Sequence, residues 1–179
     1  SIGKSDWIVA EADEFDRSFL TLYPEIAAIT AMDADHLDIY GDGESLINAF
    51  SVFAAQRNET GALFIHESLR SQFQVEESIY SYGIESGDIQ ATDIESDGWR
   101  MFFSWSDGKR RFNKLELPLP GRHNVENMTL AIAMALAAGA NEELIPNAVK
   151  SFKGIYRRMD RVWENENLIY IDDYAHHPA

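Results

Sequence analysis

The feature that most constrains this chain is a repeated pattern, a short apolar run that stops abruptly in a cluster of acids. Trp7 to Ala10 runs into Glu11-Ala12-Asp13-Glu14-Phe15-Asp16, and Ile26 to Ala31 runs into Asp33-Ala34-Asp35-His36-Leu37-Asp38. An unbroken apolar run of that length reads as a strand covered on both faces, as in the middle of a parallel sheet. Ligands of open parallel sheets gather beyond the carboxyl ends of the strands, so acids placed there are candidates for function.

The rest of the chain extends the same plan. Leu46, Ile47, Phe50, Phe53 and Ala54 recur at helical spacing between Glu44 and Asn58, which predicts an amphipathic helix. Ala62 to Ile65 reads as a third buried strand. From Ile79 to Leu117 the pattern changes to alternation, with Ser106-Asp107-Gly108 as a hairpin turn, and predicts a small antiparallel subsheet. Pro118 to Gly121 ends it. Asn124 to Ala138 is rich in Ala, Leu and Met and stops at Gly139, a C-cap signal, and Asn141 to Phe152 makes a further helix. Leu168 to Asp172 is a last strand. The expected fold class is α/β, a mostly parallel sheet flanked by helices with a small antiparallel subsheet.

Composition narrows the function. A chain of 179 residues, 45% hydrophobic, can bury one core and is too short for two large domains. The longest apolar stretch, Met128 to Ala138, falls well short of the roughly 20 residues that cross a bilayer, so no membrane span is expected. Cysteine is absent and no basic leader precedes an apolar stretch, so the expected location is a reducing cytoplasm. The net charge of -15 repels phosphate backbones and disfavours nucleic acid as a partner. A small anionic ligand would need a bound cation to approach the acidic clusters. The chain starts at Ser1, close to its first strand pattern, and stops at Ala179 just after a dense polar cluster, which reads as an internal piece of something longer.

Five clusters could carry chemistry, and each has a plain structural alternative. Glu11 and its neighbours suit Mg²⁺, which takes one or two protein carboxylates; they equally suit a turn and the cap of a helix starting near Arg17. Asp35, His36 and their neighbours offer oxygen and imidazole ligands, or else a polar loop that satisfies its own backbone. Gly121-Arg122-His123-Asn124-Val125-Glu126-Asn127 opens a helix, where asparagine amides can read a purine edge or Asn124 can simply cap. Arg157-Arg158 is a solvated pair or a phosphate fork. In Asp172-Asp173-Tyr174-Ala175-His176-His177-Pro178, adjacent histidines on a strand would face opposite ways, which argues against one shared metal ion. Gly3-Lys4-Ser5 has the ending of a phosphate loop without its upstream glycine or its helix, and is read as a turn.

The strings Ala10-Glu11-Ala12-Asp13-Glu14, Asp35-His36-Leu37-Asp38, Gly121-Arg122-His123-Asn124 and Asp172 to Pro178, in this order and spacing, together resemble the Mur ligase family. The resemblance covers nearly the whole chain and favours the alanine-adding branch, with the branch that recycles murein tripeptide as its nearest rival. It implies residues 1–174 as a partial central ATP-binding domain and 175–179 as the start of a linker to a C-terminal domain. The implied reaction is ATP-dependent ligation, in which phosphorylation of the UDP-N-acetylmuramate carboxylate gives an acyl phosphate that the amine of L-alanine attacks. Carried over by position, Glu11 and His36 would hold Mg²⁺ with Asp35 in support. His123, Asn124 and Asn127 would contact adenine, Arg158 the phosphates or ribose, and Asp173 the ribose. Tyr174, His176 and His177 would face muramate and alanine. Glu11, His36 and Arg158 form the implied catalytic set. Phe15 and Met159 depart from the family's usual residues in ways that read as packing changes. The family's UDP-binding domain, phosphate loop and closing domain have no counterpart in these residues, so turnover by this chain alone is not expected. A divalent-metal hydrolase using Glu11, Asp35 and His36 is the reading from a different class, and a plain interaction domain is a third.

Overall fold

Strand β2 (Ala62–His66) shows how the layers arise. Successive side chains of a strand point to opposite faces; Leu63 and Ile65 enter one apolar cluster and Phe64 enters another. A sheet apolar on both faces needs helices on both. In the structure, a computed structural model that describes residues 5–14, 16–32, 40, 42–58, 60–73 and 78–174, those helices are present. Helix α1 (Gly43–Ala55) buries Leu46, Ala49, Phe53 and Ala54 on the Leu63 side with Phe19, while α2 (Arg122–Ala137) and α3 (Ile145–Ser151) cover the Phe64 side. The side chain of Asp42 caps α1 by accepting from Ser45 N at 2.8 Å, and that bond holds its carboxyl below the usual carboxylate range.

One six-stranded sheet holds β1 (Ile26–Ile29), β2, β3 (Ile79–Ile84), β4 (Ile89–Asp97), β5 (Arg100–Ser106) and β6 (Arg111–Leu117), ordered as in the sequence. β1 through β4 pair in parallel, and β4, β5 and β6 form an antiparallel meander. The expected fold class is thus found, with one refinement. β3 belongs to the parallel half, so the subsheet begins at β4 and continues the same sheet.

The β3–β4 pair is unusual in its connection. Parallel neighbours ordinarily need a crossover of a dozen residues or more, yet only Glu85 to Asp88 separate these strands, and three residue pairs are in register from Tyr82↔Ile89 to Ile84↔Ala91. The loop is held from inside. Asp88 Oδ2 accepts from Ser81 N at 2.9 Å, Ser81 Oγ at 3.1 Å and Arg70 at 2.7 Å, and Ser81 is fully buried. Burial works against the Asp88 anion, but the Ser81 and Arg70 donors outweigh it and hold its carboxyl below the usual range.

Two further expectations are corrected, and a third is met with a partner that the sequence left open. Trp7 to Ala10 form no strand: Ile8 is 90% and Val9 93% exposed. Among the described residues no strand lies on the outer edge of β1 to give that segment a ladder partner, and a lone extended segment is not stable in water. Leu168 to Asp172 does form a strand, but β8 (Ile169–Asp172) pairs antiparallel with β7 (Asp160–Glu164) in a separate two-stranded sheet. The helix predicted from Asn141 to Phe152 is split into a 3-10 turn at Glu142–Leu144 and α3, with Pro146 at the first turn of α3.

Candidate functional site

Three parallel strands end side by side, and beyond them lies a cavity of about 400 Å³. Thr30, Ala31 and Met32 follow β1, His66 closes β2, and Tyr82 comes from β3; across from them, Glu126 and Asn127 are supplied by the first turns of α2. This is the position that the strand-end argument assigned to function. His66 was not among the sequence candidates, although it closes a buried strand. Its Nε2 lies 3.0 Å from Glu126 Oε1, and its Nδ1 lies 2.7 Å from Ser68 Oγ. The His66 and Tyr82 rings meet edge to face, 5.5 Å between centroids. Burial, with the Glu126 charge, raises the Tyr82 phenol above its ordinary value.

The start of α2 is built differently from the expected cap. The N-cap is Gly121, at φ +97 with no side-chain bond, and Asn124 sits at the third helical position with its Nδ2 donating to Pro120 O at 2.6 Å. One amide donor of Asn124 is thereby committed to the backbone. A Cβ on Gly121 would come within 2.6 Å of His123 Cε1, so glycine here serves both the left-handed backbone and the close imidazole. His123 and Asn127 are exposed, and the Asn127 amide has no hydrogen-bond partner among the described residues.

Arg158 and Asp173 are brought together at the base of the β7–β8 hairpin. Asp173 Oδ2 accepts from Met159 N at 3.1 Å, and Arg158 N donates to Ile155 O at 3.0 Å. Arg158 borders a second cavity of about 420 Å³, facing Trp99, Pro118, Pro120 and Lys153. Leu119 reaches Gly154 across this gap, so the loop leading into α2 and the segment carrying Arg158 share one surface. Arg157, given no separate role from sequence, is the arginine that engages Tyr174: its guanidinium stacks 4.8 Å from the ring centroid, and its carbonyl accepts from Tyr174 N at 2.8 Å.

Glu11 lies in an exposed, irregular segment. The helix suggested near Arg17 is a single 3-10 turn, Ser18–Thr21, with Asp16 Oδ1 accepting from Ser18 N at 2.8 Å. The end of the first acidic cluster is tied to the residue just past the second, because Tyr40 donates its hydroxyl to Glu14 O at 2.6 Å and Arg17 stacks over the Tyr40 ring. Asp35, His36, His176 and His177, and Gly3-Lys4 of the apparent phosphate loop, lie outside the described residues. Among the described residues no three His, Asp or Glu side chains converge to hold a metal ion, and of the proposed metal ligands Glu11 alone lies among them. An exposed carboxylate suits Mg²⁺, a hard cation that keeps much of its water. Among the described residues, no helix is long and apolar enough to cross a membrane.

An open α/β sheet with polar side chains gathered at its strand ends defines a class of ligand-binding domain, and comparison with known proteins names the family. Residues 4–135 match the Mur ligase middle domain, and the chain belongs to that family. It is 44% identical over 173 residues to a UDP-N-acetylmuramate--L-alanine ligase of Christiangramia forsetii, covering 96% of this chain and 37% of that protein. It is 41% identical over 171 residues to the protein of the same name from Flavobacterium psychrophilum, covering 96% and 37%. The fold superimposes on the crystal structure of the UDP-N-acetylmuramate-alanine ligase of Thermotoga maritima with a TM-score of 0.79 at 24% identity, over 93% of this chain and 38% of that one. The chain therefore spans well under half the length of these relatives.

Proposed function

We propose that this chain is the nucleotide-binding part of an ATP-dependent ligase of peptidoglycan precursor synthesis, one that joins L-alanine to UDP-N-acetylmuramate. The observation that carries the reading is the cavity at the ends of three parallel strands, onto which the Asn127 amide opens with its donor and acceptor free among the described residues. Its volume of about 400 Å³ fits a purine, since small-molecule sites run from roughly 300 to 1,000 Å³. The names borne by the relatives at 44% and 41% identity support the choice of acid and amine.

In this reading Asn127 and the acceptor of Asn124 contact the base, with His123 beside them. Arg158 answers the phosphates, and Asp173 the ribose. Glu11 and His36, with Asp35, hold Mg²⁺, which when bound neutralises charge on the transferring phosphoryl group. The γ-phosphoryl group of ATP passes to the muramate carboxylate and ADP leaves; the alanine amine then attacks the acyl-phosphate carbonyl, and phosphate leaves with the bonding electrons as the amine gives up a proton. Tyr174, His176 and His177 serve the muramate and alanine side. Soluble cytoplasmic precursors are the substrates, with no nucleic acid and no membrane involved.

The test is phosphate release by a chain of the relatives' full length that carries this sequence. Release that needs ATP, UDP-N-acetylmuramate and L-alanine together, and that falls roughly 100-fold or more in Glu11→Ala and His36→Ala with the fold intact, is the expected result, by the scale of losing one transition-state charge partner. Preference for a murein tripeptide over L-alanine would reassign the enzyme to the recycling branch. Release without any amine would point to a hydrolase.

A further inference from the structure

The pair His66–Glu126 takes no part in the mechanism above, yet it stands in the cavity beside Asn127. Its geometry fixes proton positions. The backbone N–H of Ser68 donates to His66 Nδ1 at 3.3 Å, and a backbone amide can only donate. Nδ1 is therefore an acceptor, so the proton of the neutral ring sits on Nε2 and is given to Glu126 Oε1 at 3.0 Å. The imidazole is held on three sides by Ser68, by the buried Tyr82 ring in a T-shaped contact and by Glu126. One carboxylate oxygen is thereby pinned to β2, while the other, Oε2, has no partner among the described residues. The side chain is 30% exposed on a cavity wall.

We infer that Glu126, fixed by His66, is a specificity-determining residue of the nucleotide site, an acceptor for the exocyclic amine of the base that Asn127 contacts. The inference rests on the nucleotide reading of this cavity. A fixed carboxylate oxygen welcomes an amino group and repels a carbonyl oxygen at the same place. It therefore favours a 6-aminopurine over a 6-oxopurine, and hydrogen-bonding sites of this kind discriminate far more strongly than apolar ones. His66 is a positioning residue: it sets where the carboxylate points.

The experiment compares kcat/KM for ATP and GTP in a chain of the relatives' full length carrying this sequence, as wild type, Glu126→Gln and His66→Phe. Glu126→Gln can still accept from His66 Nε2 through its amide oxygen, which keeps the fold and turns an N–H₂ toward the base. The expected result is a loss of ATP-over-GTP selectivity of about tenfold or more in Glu126→Gln, with an unchanged melting temperature. A smaller loss is expected in His66→Phe, where the carboxylate is still present and no longer held. If wild type uses ATP and both variants keep its selectivity within twofold, the inference is overturned and the nucleotide reading stands. If wild type neither binds nor uses ATP, both fall. Should His66→Phe fail to fold, the Glu126→Gln ratio decides alone.

Discussion

The antiparallel meander β4–β6 and the hairpin β7–β8 are made of similar residues, and they end in opposite states. Both alternate, and both are rich in aromatic and branched side chains. In the meander, Phe103, Trp105 and Leu117 are fully buried, and Trp105 Nε1 donates to Thr129 O of α2 at 3.1 Å. In the hairpin, Val162, Trp163 and Tyr170 are each more than half exposed. The meander has α2 against its apolar face, whereas among the described residues nothing comparable covers the hairpin. Local pattern is enough to make strands pair, but only a second layer makes them a core. The residues proposed for chemistry follow the same division, for Arg158, Asp173 and Tyr174 sit at the base of the uncovered hairpin while the α2 residues rest on the finished core.

Substitutions should break or sharpen this contrast in a definite order, read by urea denaturation. Trp105→Ala removes the largest buried side chain of the meander and its bond to α2, and should cost about 3–5 kcal/mol; a loss near that of a surface residue would mean the meander is not the core. Gly61→Ala should cost about 2 kcal/mol, because a Cβ there would lie 2.2 Å from Glu25 O, a backbone atom of the neighbouring strand entry that cannot step aside.

Asp88→Asn weakens the lock on the short β3–β4 loop and should cost about 1 kcal/mol at neutral pH, the carboxylate being partly solvent-screened. Its sign with pH is fixed by the direction of the shift. The folded carboxyl lies below its unfolded value, so its contribution is present above the unfolded pKa and is lost as pH falls through the folded one. The gap between wild type and Asp88→Asn should therefore close in acid, and a gap that widened there would refute the lock. Trp163→Ala, in the hairpin, should change stability by no more than about 0.5 kcal/mol, despite deleting the same side chain as the first substitution. Equal effects of Trp105→Ala and Trp163→Ala would erase the comparison.

The clusters that hold Asn127, Arg158 and Asp173 are legible in the sequence because they sit at a helix start and around a strand, while the roles proposed for those residues come from the family resemblance. His66 escaped notice because one histidine closing the strand Ala62–His66 gives no clustered signal. Its partner Glu126 lies 60 positions away, a separation no local pattern registers. The role of Arg157 was hidden for a related reason: two adjacent arginines look alike until the backbone turns one of them onto Tyr174.

What the amino-acid order alone determined was the class of fold, the main helices, the hairpin turn at Asp107 and the end of α2 at Gly139, since these rest on spacing, caps and turn chemistry within a few residues. What only the tertiary structure decided was partnership. It paired β3 in parallel with β2 and, across a four-residue connection, with β4, left Trp7 to Ala10 without a ladder, set the last strand beside β7 in a separate sheet, and brought His66 to Glu126. The physical reason is that strand propensity is a statement about one segment, whereas a ladder, a buried face or a hydrogen-bonded pair needs two, and the second is chosen by the packing of the whole chain.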